Sequence, residues 1–430
     1  MVASPVLSGN GYATAATTKL SLKVYREKVK PIGTAGGVTV TGDGFGSAVV
    51  PVPGKKNQVY GLTDRGPNVD GPDGSKIEPF PQFTPAIGRF RLKDGRAQLL
   101  ETIPLRAANG HRYNGQVNSD ASTGETITGL DGVALPASPY GYDSEGLVAL
   151  RDGTFWVSDE FGPFITHFTR HGRAIERLSP FDGSLPAELS LRTANRGMEG
   201  LTVTPDGKTL VGIMQSALTQ RDSTVKPKSV AVNRIVTVDL RTRATHEYAY
   251  VLDDPAHNET AASEIAALSA TKFVVDERDG DFDPGAYKKL WQVDISAASD
   301  IGPKATVGSY DGATGGLKID GKTVEAIAGG GDEATTSAAL QAAGITPVAK
   351  SLYLDLGALV SSASPDGTFF AHDKIEGLAI LNGGRRLIIS NDSDFGLAGS
   401  TGTTAPFSLV SKVQPDGTPD HGEFLVIDRH

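Results

Sequence analysis

A chain of 430 residues has room for one large domain or two to three ordinary ones, and its composition is that of a soluble globular protein. A net charge of -9 argues against nucleic acid as a main partner and fits a protein that holds cations. The absence of cysteine excludes disulfides, thiolate metal sites and cysteine nucleophiles, and no apolar run approaches the roughly 20 residues that span a bilayer.

Residues 1–17 carry neither a basic n-region nor an apolar h-region and read as a flexible leader, the remnant of a start from which a signal peptide has been replaced. The stretch "KLSLKVYREK" that follows predicts a strand, expected to pair with "GEFLVIDR" at the other end of the chain. Four further strands are predicted in "FGSAVVPV", "QVYGLTDRG", "AIGRFRLKDG" and "RAQLLETIPL". Residues 115–142, rich in Ser, Thr, Gly and Pro, form an irregular insertion of the length that often carries function. The stretch "DSEGLVALRDGTFWVSDEFGP" from Asp143 then places Glu145 before one apolar strand and Asp159 and Glu160 at the end of the next. "FITHFTRHG" and "RAIERLSP" supply two more strands. The same order recurs from Met198 as "EGLTVT", "TLVGIM", "NRIVTVDL" and "ATHEYAYVL". The hairpin returns as "SEIAALSATKFVVDERDGD" from Ser263 and "IEGLAILNGGRRLIISNDSDFG" from Ile375. Repeated Asp-Gly pairs punctuate these hairpins, because both residues tolerate the positive φ angles of tight turns.

The spacing of the repeated glutamates is 54, 65 and 112 residues, the last about twice the first, near or above the ~40–50 residues per blade of common propellers. The fold class is therefore all-β: a β-propeller with five visible four-stranded blades and a possible sixth between Asp311 and Leu356, in one domain over residues 18–430. Residues 310–350 contain "GGGDEATTSAALQAAG", which reads as a short helix, so this second insertion is an excursion as readily as a blade.

In a propeller the first strand of each blade lines the channel, so Glu145, Glu199, Glu264 and Glu376 are expected to form a ring. Carboxylates held together at low dielectric repel unless a cation or arginine joins them, and Ca²⁺ accepts six to eight oxygens with loose geometry. The second strands end in "TDRGPN", "SDEFGP", "DERDGD" and "SNDSDFG", which brings Asp64, Arg65, Asp159, Glu160 and Arg278 to the same mouth, with Arg196 and Lys374 just before Glu199 and Glu376. These cations are either partners of the acids or a clamp for phosphate or carboxylate oxygens. Asp279, Asp281 and Asp283 imitate the start of an EF-hand loop, but Pro284 stands where its glycine belongs and Leu290 where its glutamate does. His111, His257 and His372 fall in loops. Common hydrolase, nucleotide and zinc-protease signatures are missing.

The series "YGLTDRGPN", "SEGLVALRDGTFWVSDEFGP", "EGLTVTPDGKTLV", "FVVDERD", "VAKSLYLDL" and "IEGLAILNGGRRLIISNDSDFG" resembles the phytase-like family with esterase-like activity, from about Gly42 to Phe407. The resemblance implies a secreted or periplasmic propeller hydrolase of phosphate or other esters. By class it assigns Glu145, Glu199, Glu264, Glu376, Asp64, Asp159 and Glu160 to metal, and Arg65, Arg196, Arg278 and Lys374 to the anion, although the motifs of the calcium-dependent propeller phytases are absent. The expected protein is a calcium-dependent phosphate-ester hydrolase with Asp159 or Glu160 as general base. It acts on an anionic small molecule, as a monomer, with no nucleic-acid partner and no membrane span. The alternatives are a metal-dependent esterase or lactonase, and a non-catalytic propeller that calcium stabilises.

Overall fold

The computed structural model describes residues 19–121, 124–364 and 367–430, so the expected leader lies outside the described residues. Five four-stranded antiparallel blades surround an axis. Blade 1 comprises Ala48–Pro51, Gln58–Leu62, Ala86–Lys93 and Arg96–Pro104, from the axis outward. Blade 2 comprises Ser144–Ala149, Phe155–Asp159, Ile165–Phe168 and Ala174–Leu178. Blade 3 comprises Met198–Val203, Thr209–Met214, Val232–Asp239 and Thr245–Val251. Blade 4 comprises Ala261–Ala267, Lys272–Arg278, Lys288–Asp294 and Ala349–Asp355. Blade 5 comprises Ile375–Leu381, Arg386–Asn391, Glu423–Arg429 and, from the other end of the chain, Leu20–Lys28.

Alternation along each strand builds the core between blades. On Phe155–Asp159, Phe155 and Val157 pack towards blade 1 with Leu62 and Ile87, whereas Trp156 packs towards blade 3 with Leu201 and Val236. Period two thus gives one strand two apolar faces, as a sheet covered on both sides requires. A similar apolar layer fills each of the other joints, and each fully buried Leu, Ile, Val or Phe contributes about 1.5–3 kcal/mol.

There is no sixth blade among the described residues. The inner strands of blades 5 and 1 are direct neighbours: a Cβ on Gly377 would lie 2.7 Å from the Val49 nitrogen. Residues 310–350 leave the ring after the third strand of blade 4 and return as its fourth. In between, the chain forms small strands and the helices Val324–Ala328 and Glu333–Ala342, which pack on the outer part of blade 3 through Val230, Val251, Val324 and Leu340. Arg234 clamps this excursion, paired with Glu247 at 3.1 Å and with Glu325. The insertion at 115–142 has a different place. Its strand Ile127–Thr128 joins Val69–Asp70 and Lys76–Ile77, and its Glu125 reaches Arg65 at the channel mouth.

Candidate functional site

The inner strands enter the ring from one face, and four of them carry an extra residue in the same place. In blades 2, 3 and 5 the motif is Glu-Gly-Leu: Glu145-Gly146-Leu147, Glu199-Gly200-Leu201 and Glu376-Gly377-Leu378. Register against the second strand slips across each glutamate, which marks a β-bulge. A bulge re-aims side chains beside an active site. The glycine that follows is required by crowding, because a Cβ on Gly146 would lie 2.4 Å from the Leu201 nitrogen and one on Gly200 2.7 Å from the Glu264 Cα. Neighbouring inner strands touch around the axis at this level, and the glutamates are pushed to the mouth above it.

Above the glycines lies a cavity of about 290 Å³. Nine Asp and Glu side chains line it against five Lys and Arg, so full ionisation leaves four negative charges unmatched. Asp143, Glu145 and Glu160 form its densest part, each offering an oxygen within 4.8 Å of the others'. Asp143 is fixed by Arg65, which donates from its backbone nitrogen at 3.0 Å and from Nε at 2.8 Å. Glu145 makes no hydrogen bond among the described residues, and Glu160 Oε1 is buried without a partner. Burial, then Asp143, pushes the Glu160 carboxyl up to about 8, and burial with Asp143 and Glu199 beside it raises Glu145 well above the usual carboxylate range. Glu199 Oε1 accepts from Gln215 at 2.7 Å, while its Oε2 is buried and unpartnered. Asp64 lines the wall and accepts from the Gly66 amide at 2.8 Å. Crowded, dry, unmatched carboxylate oxygens with no histidine or cysteine among the lining residues are the donor set of a hard cation, so the residues present fit a divalent metal.

The cations divide into two kinds. Arg65 is bound to Asp143 and Glu125, Arg278 to Glu376 at 2.5 Å, Lys374 to Asp392 and Asp394, and Lys76 to Asp70. Arg196 is different: its guanidinium has no hydrogen bond or ion pair among the described residues, although Glu160 and Glu199 are near enough to stabilise its charge against burial.

Two expectations change. Glu264 does not line this cavity. Blade 4 reads Ser263-Glu264-Ile265, its bulge residue is Ser263, and Glu264 takes the glycine position, with its Oε1 accepting from the Leu201 and Ile265 amides at 2.9 Å each. Aligning the whole Glu-Gly-Leu triplet, and not the glutamate alone, shows this in the sequence. Asp159 is buried and turned to its own loop, where Oδ1 accepts from Phe161 and Gly162, so of the two candidate bases only Glu160 reaches the cavity. The loop of Asp279, Asp281 and Asp283 already holds a cation from within: Lys288 Nζ lies 2.5 Å from Asp279 Oδ1 and 2.9 Å from the Asp281 carbonyl. Of the loop histidines, His372 is enclosed by Asp420 and Glu423.

Asp143, Asn195, Glu259 and Asp392 belong to the cavity and were not singled out by pattern. Asp143 had a signal, an acid one residue outside the repeated strand. Asn195 and Glu259 lie in non-repeating loops and had none.

Fold and site together define a β-propeller with an acidic, metal-competent channel mouth. The profile of the phytase-like family, described as "Esterase-like activity of phytase", matches residues 43–395, and the chain belongs to that family. A relative described as an uncharacterized secreted protein, from Arthroderma benhamiae, is 28% identical over 313 residues, 56% of this chain and 60% of its own length. The chain thus spans about three-fifths of that relative. Among solved structures, the calcium-binding protein regucalcin from Agrobacterium tumefaciens aligns with 93% of this chain and 94% of its own, at 12% identity and a TM-score of 0.34. Virginiamycin B lyase from Staphylococcus aureus aligns with 96% of this chain and 100% of its own, at 10% identity and a TM-score of 0.32.

Proposed function

We propose that the protein is a calcium-dependent hydrolase of phosphate esters. The observation that carries this reading is the juxtaposition of Asp143, Glu145 and Glu160 with Arg196, the one lining cation free of a carboxylate partner among the described residues. Asp143, Glu145 and Glu160 would hold the ion, with Glu199 at the adjoining wall. When bound, a divalent cation supplies Lewis acidity towards a phosphoryl oxygen and acidifies a water molecule. Arg196 takes the remaining phosphoryl oxygens with its planar fork and stabilises charge that grows in the transition state. Glu160, with one oxygen free of the protein, is positioned to accept the proton of the attacking water. Arg65 and Arg278 act on the acids, setting Asp143 and Glu376 in place. Calcium suits the site better than magnesium because the donors are irregularly placed, in the bulged entry of blade 2 and the loop that closes its hairpin, whereas magnesium demands a near-ideal octahedron.

Export from the cytoplasm belongs to the same reading. The fungal relative is described as secreted, and no described helix is long and apolar enough to cross a membrane.

The deciding experiment is a metal-resolved screen of p-nitrophenyl phosphate, phytate, a p-nitrophenyl carboxyl ester and a lactone, each with calcium, with magnesium and with excess EDTA. Calcium-dependent phosphate release, lost in Glu160→Gln, is the expected result. Cleavage of the carboxyl ester or lactone alone keeps the site and changes the bond. No turnover, with calcium still raising the melting temperature, overturns catalysis and leaves a binding propeller.

A further inference from the structure

Beyond the level where the backbones touch, the channel opens to the opposite face as a second cavity of about 850 Å³, within the size range of small-molecule pockets. Every inner strand contributes to its wall, with Val50, Leu147, Leu201, Ile265 and Leu378 one from each blade. Glu264 is its only lining carboxylate among the described residues. The other charged lining residue, Arg151, is exposed in the turn that follows the inner strand of blade 2.

Glu264 departs from the repeat. Blades 2, 3 and 5 place Gly146, Gly200 and Gly377 at this position, where close backbone approach leaves no room for a side chain, and blade 1 places Ala48 there. The glutamate is not loosely accommodated. Oε1 accepts two amides and so fixes the carboxylate, while Oε2 has no hydrogen-bond partner among the described residues. Asp276 lies opposite Glu264 in the strand pair, with both oxygens buried and unpartnered. Glu264 has no ion pair among the described residues, and of the two acids it alone lines the cavity, so the apolar shaft ends on one carboxyl group with an unpartnered oxygen, backed by a second buried acid. Burying such groups is costly unless a donor or cation meets them. A metal ion is a poor match, because three convergent protein oxygens are found among the described residues only at the other mouth.

We propose that this lower channel is a second binding site, distinct from the acidic mouth, for an alkylammonium whose cationic head meets Glu264 and whose chain lies along the apolar wall. The ammonium supplies the hydrogen bond and charge that Glu264 lacks, and the chain buries apolar surface at about 25 cal/mol per Å².

Isothermal titration of the full chain with octylammonium, octanol and octanoate tests this, in calcium and again in EDTA. Saturable binding of octylammonium alone is expected, unchanged by EDTA or by Arg196→Ala, which separates it from the reading of the upper site. Glu264→Gln and Glu264→Gly, the latter restoring the repeat residue, should each weaken binding at least tenfold. Ala267→Trp should block it by filling the wall without touching the acid. Octanol binding as tightly as octylammonium, equal affinity in folded Glu264→Gln, or no saturable binding to the wild-type chain overturns the proposal. If both Glu264 variants fail to fold, Ala267→Trp and the comparison of octylammonium with octanol decide the matter.

Discussion

At the scale of single residues, Arg65 and Arg196, which both line the acidic cavity, should behave in opposite ways. Arg65 is buried over the Phe161 ring, 4.5 Å from its centroid, and neutralises both Asp143 and Glu125. Removing one partner from such a network strands the others, at a cost of about 3–5 kcal/mol. Arg65→Ala should therefore lower the melting temperature strongly, whatever it does to activity. The Arg196 guanidinium holds no structural partner among the described residues, so Arg196→Ala should leave the melting temperature within a few degrees while kcat/KM for an anionic ester falls by roughly 10²–10³, the usual range for loss of one charge-stabilising donor. Differential scanning fluorimetry beside steady-state kinetics separates the two. Stability lost in Arg196→Ala, or activity retained, would remove Arg196 from the anion role. Chemical type alone named both arginines. Their difference depends on which acids fold up against each, and Glu125 and Asn195 come from loops with no repeat to reveal them.

At the scale of the element, the bulged Glu-Gly-Leu entry strand is the device that builds the site. Gly200→Ala would set a methyl 2.7 Å from the Ile265 nitrogen, which only a backbone shift relieves. Overpacking of this kind costs about 1–3 kcal/mol, and here it should also displace Glu199 and weaken calcium binding, measurable as a smaller calcium-induced rise in melting temperature. Unchanged stability and calcium response would mean that the bulge has slack. The bulge was half legible: three triplets are identical, but the fourth blade keeps the hydrophobic pattern while moving the acid by one residue, and a search on glutamate alone follows the acid. The loop before the blade 5 strand carries a titration device that pattern could not show. Burial opposes charge on His372, yet Asp420 at 2.7 Å and Glu423 at 3.3 Å push it up to about 9, with Lys412 on the far side of Asp420 and the Phe370 ring edge-on. A pKa above the ordinary 6.5 means that the folded state binds the proton more tightly. The stabilisation is therefore complete below pH 6.5 and fades as the pH climbs through 9. The difference corresponds to about 3 kcal/mol, which urea unfolding of the wild type between pH 6 and 9.5 should recover and which His372→Gln should flatten. Equal slopes in both proteins would show that the pair does not hold a proton.

At the scale of the whole molecule, ring closure was the most legible feature and is the most consequential. Alternating apolar residues in "KLSLKVYREK" and "GEFLVIDR" make the two terminal strands recognisable, and the paired strands run antiparallel from Leu20↔Arg429 to Arg26↔Glu423. The blade count was harder, because an excursion of blade length between two strands of one blade mimics a blade in spacing and only its helical stretch betrays it. The N-terminal strand does more than complete blade 5. Its last residues also run parallel to the outer strand of blade 1, from Arg26↔Arg96 to Lys28↔Gln98, so one strand bridges the joint where the chain's two ends meet. Continuous chain runs through every joint, including from Leu20–Lys28 of blade 5 into blade 1, and blade 5 alone is completed by non-covalent pairing between the two ends. Removing residues 1–28 should therefore expose the edge of Glu423–Arg429 and loosen blades 5 and 1 first, since an open strand edge is also a template for aggregation. The expected result is a broadened transition in which Glu376 and Lys374 lose their partners before blades 2 and 3 unfold. Hydrogen exchange should then show early loss of protection in Ile375–Leu381 and Arg386–Asn391. Adding a peptide of residues 19–30 should restore a single transition, because pairing and not covalent continuity closes the ring. A truncated chain that melts as sharply as the intact one, with protection unchanged in blade 5, would show that the five inter-blade layers hold the ring without its latch.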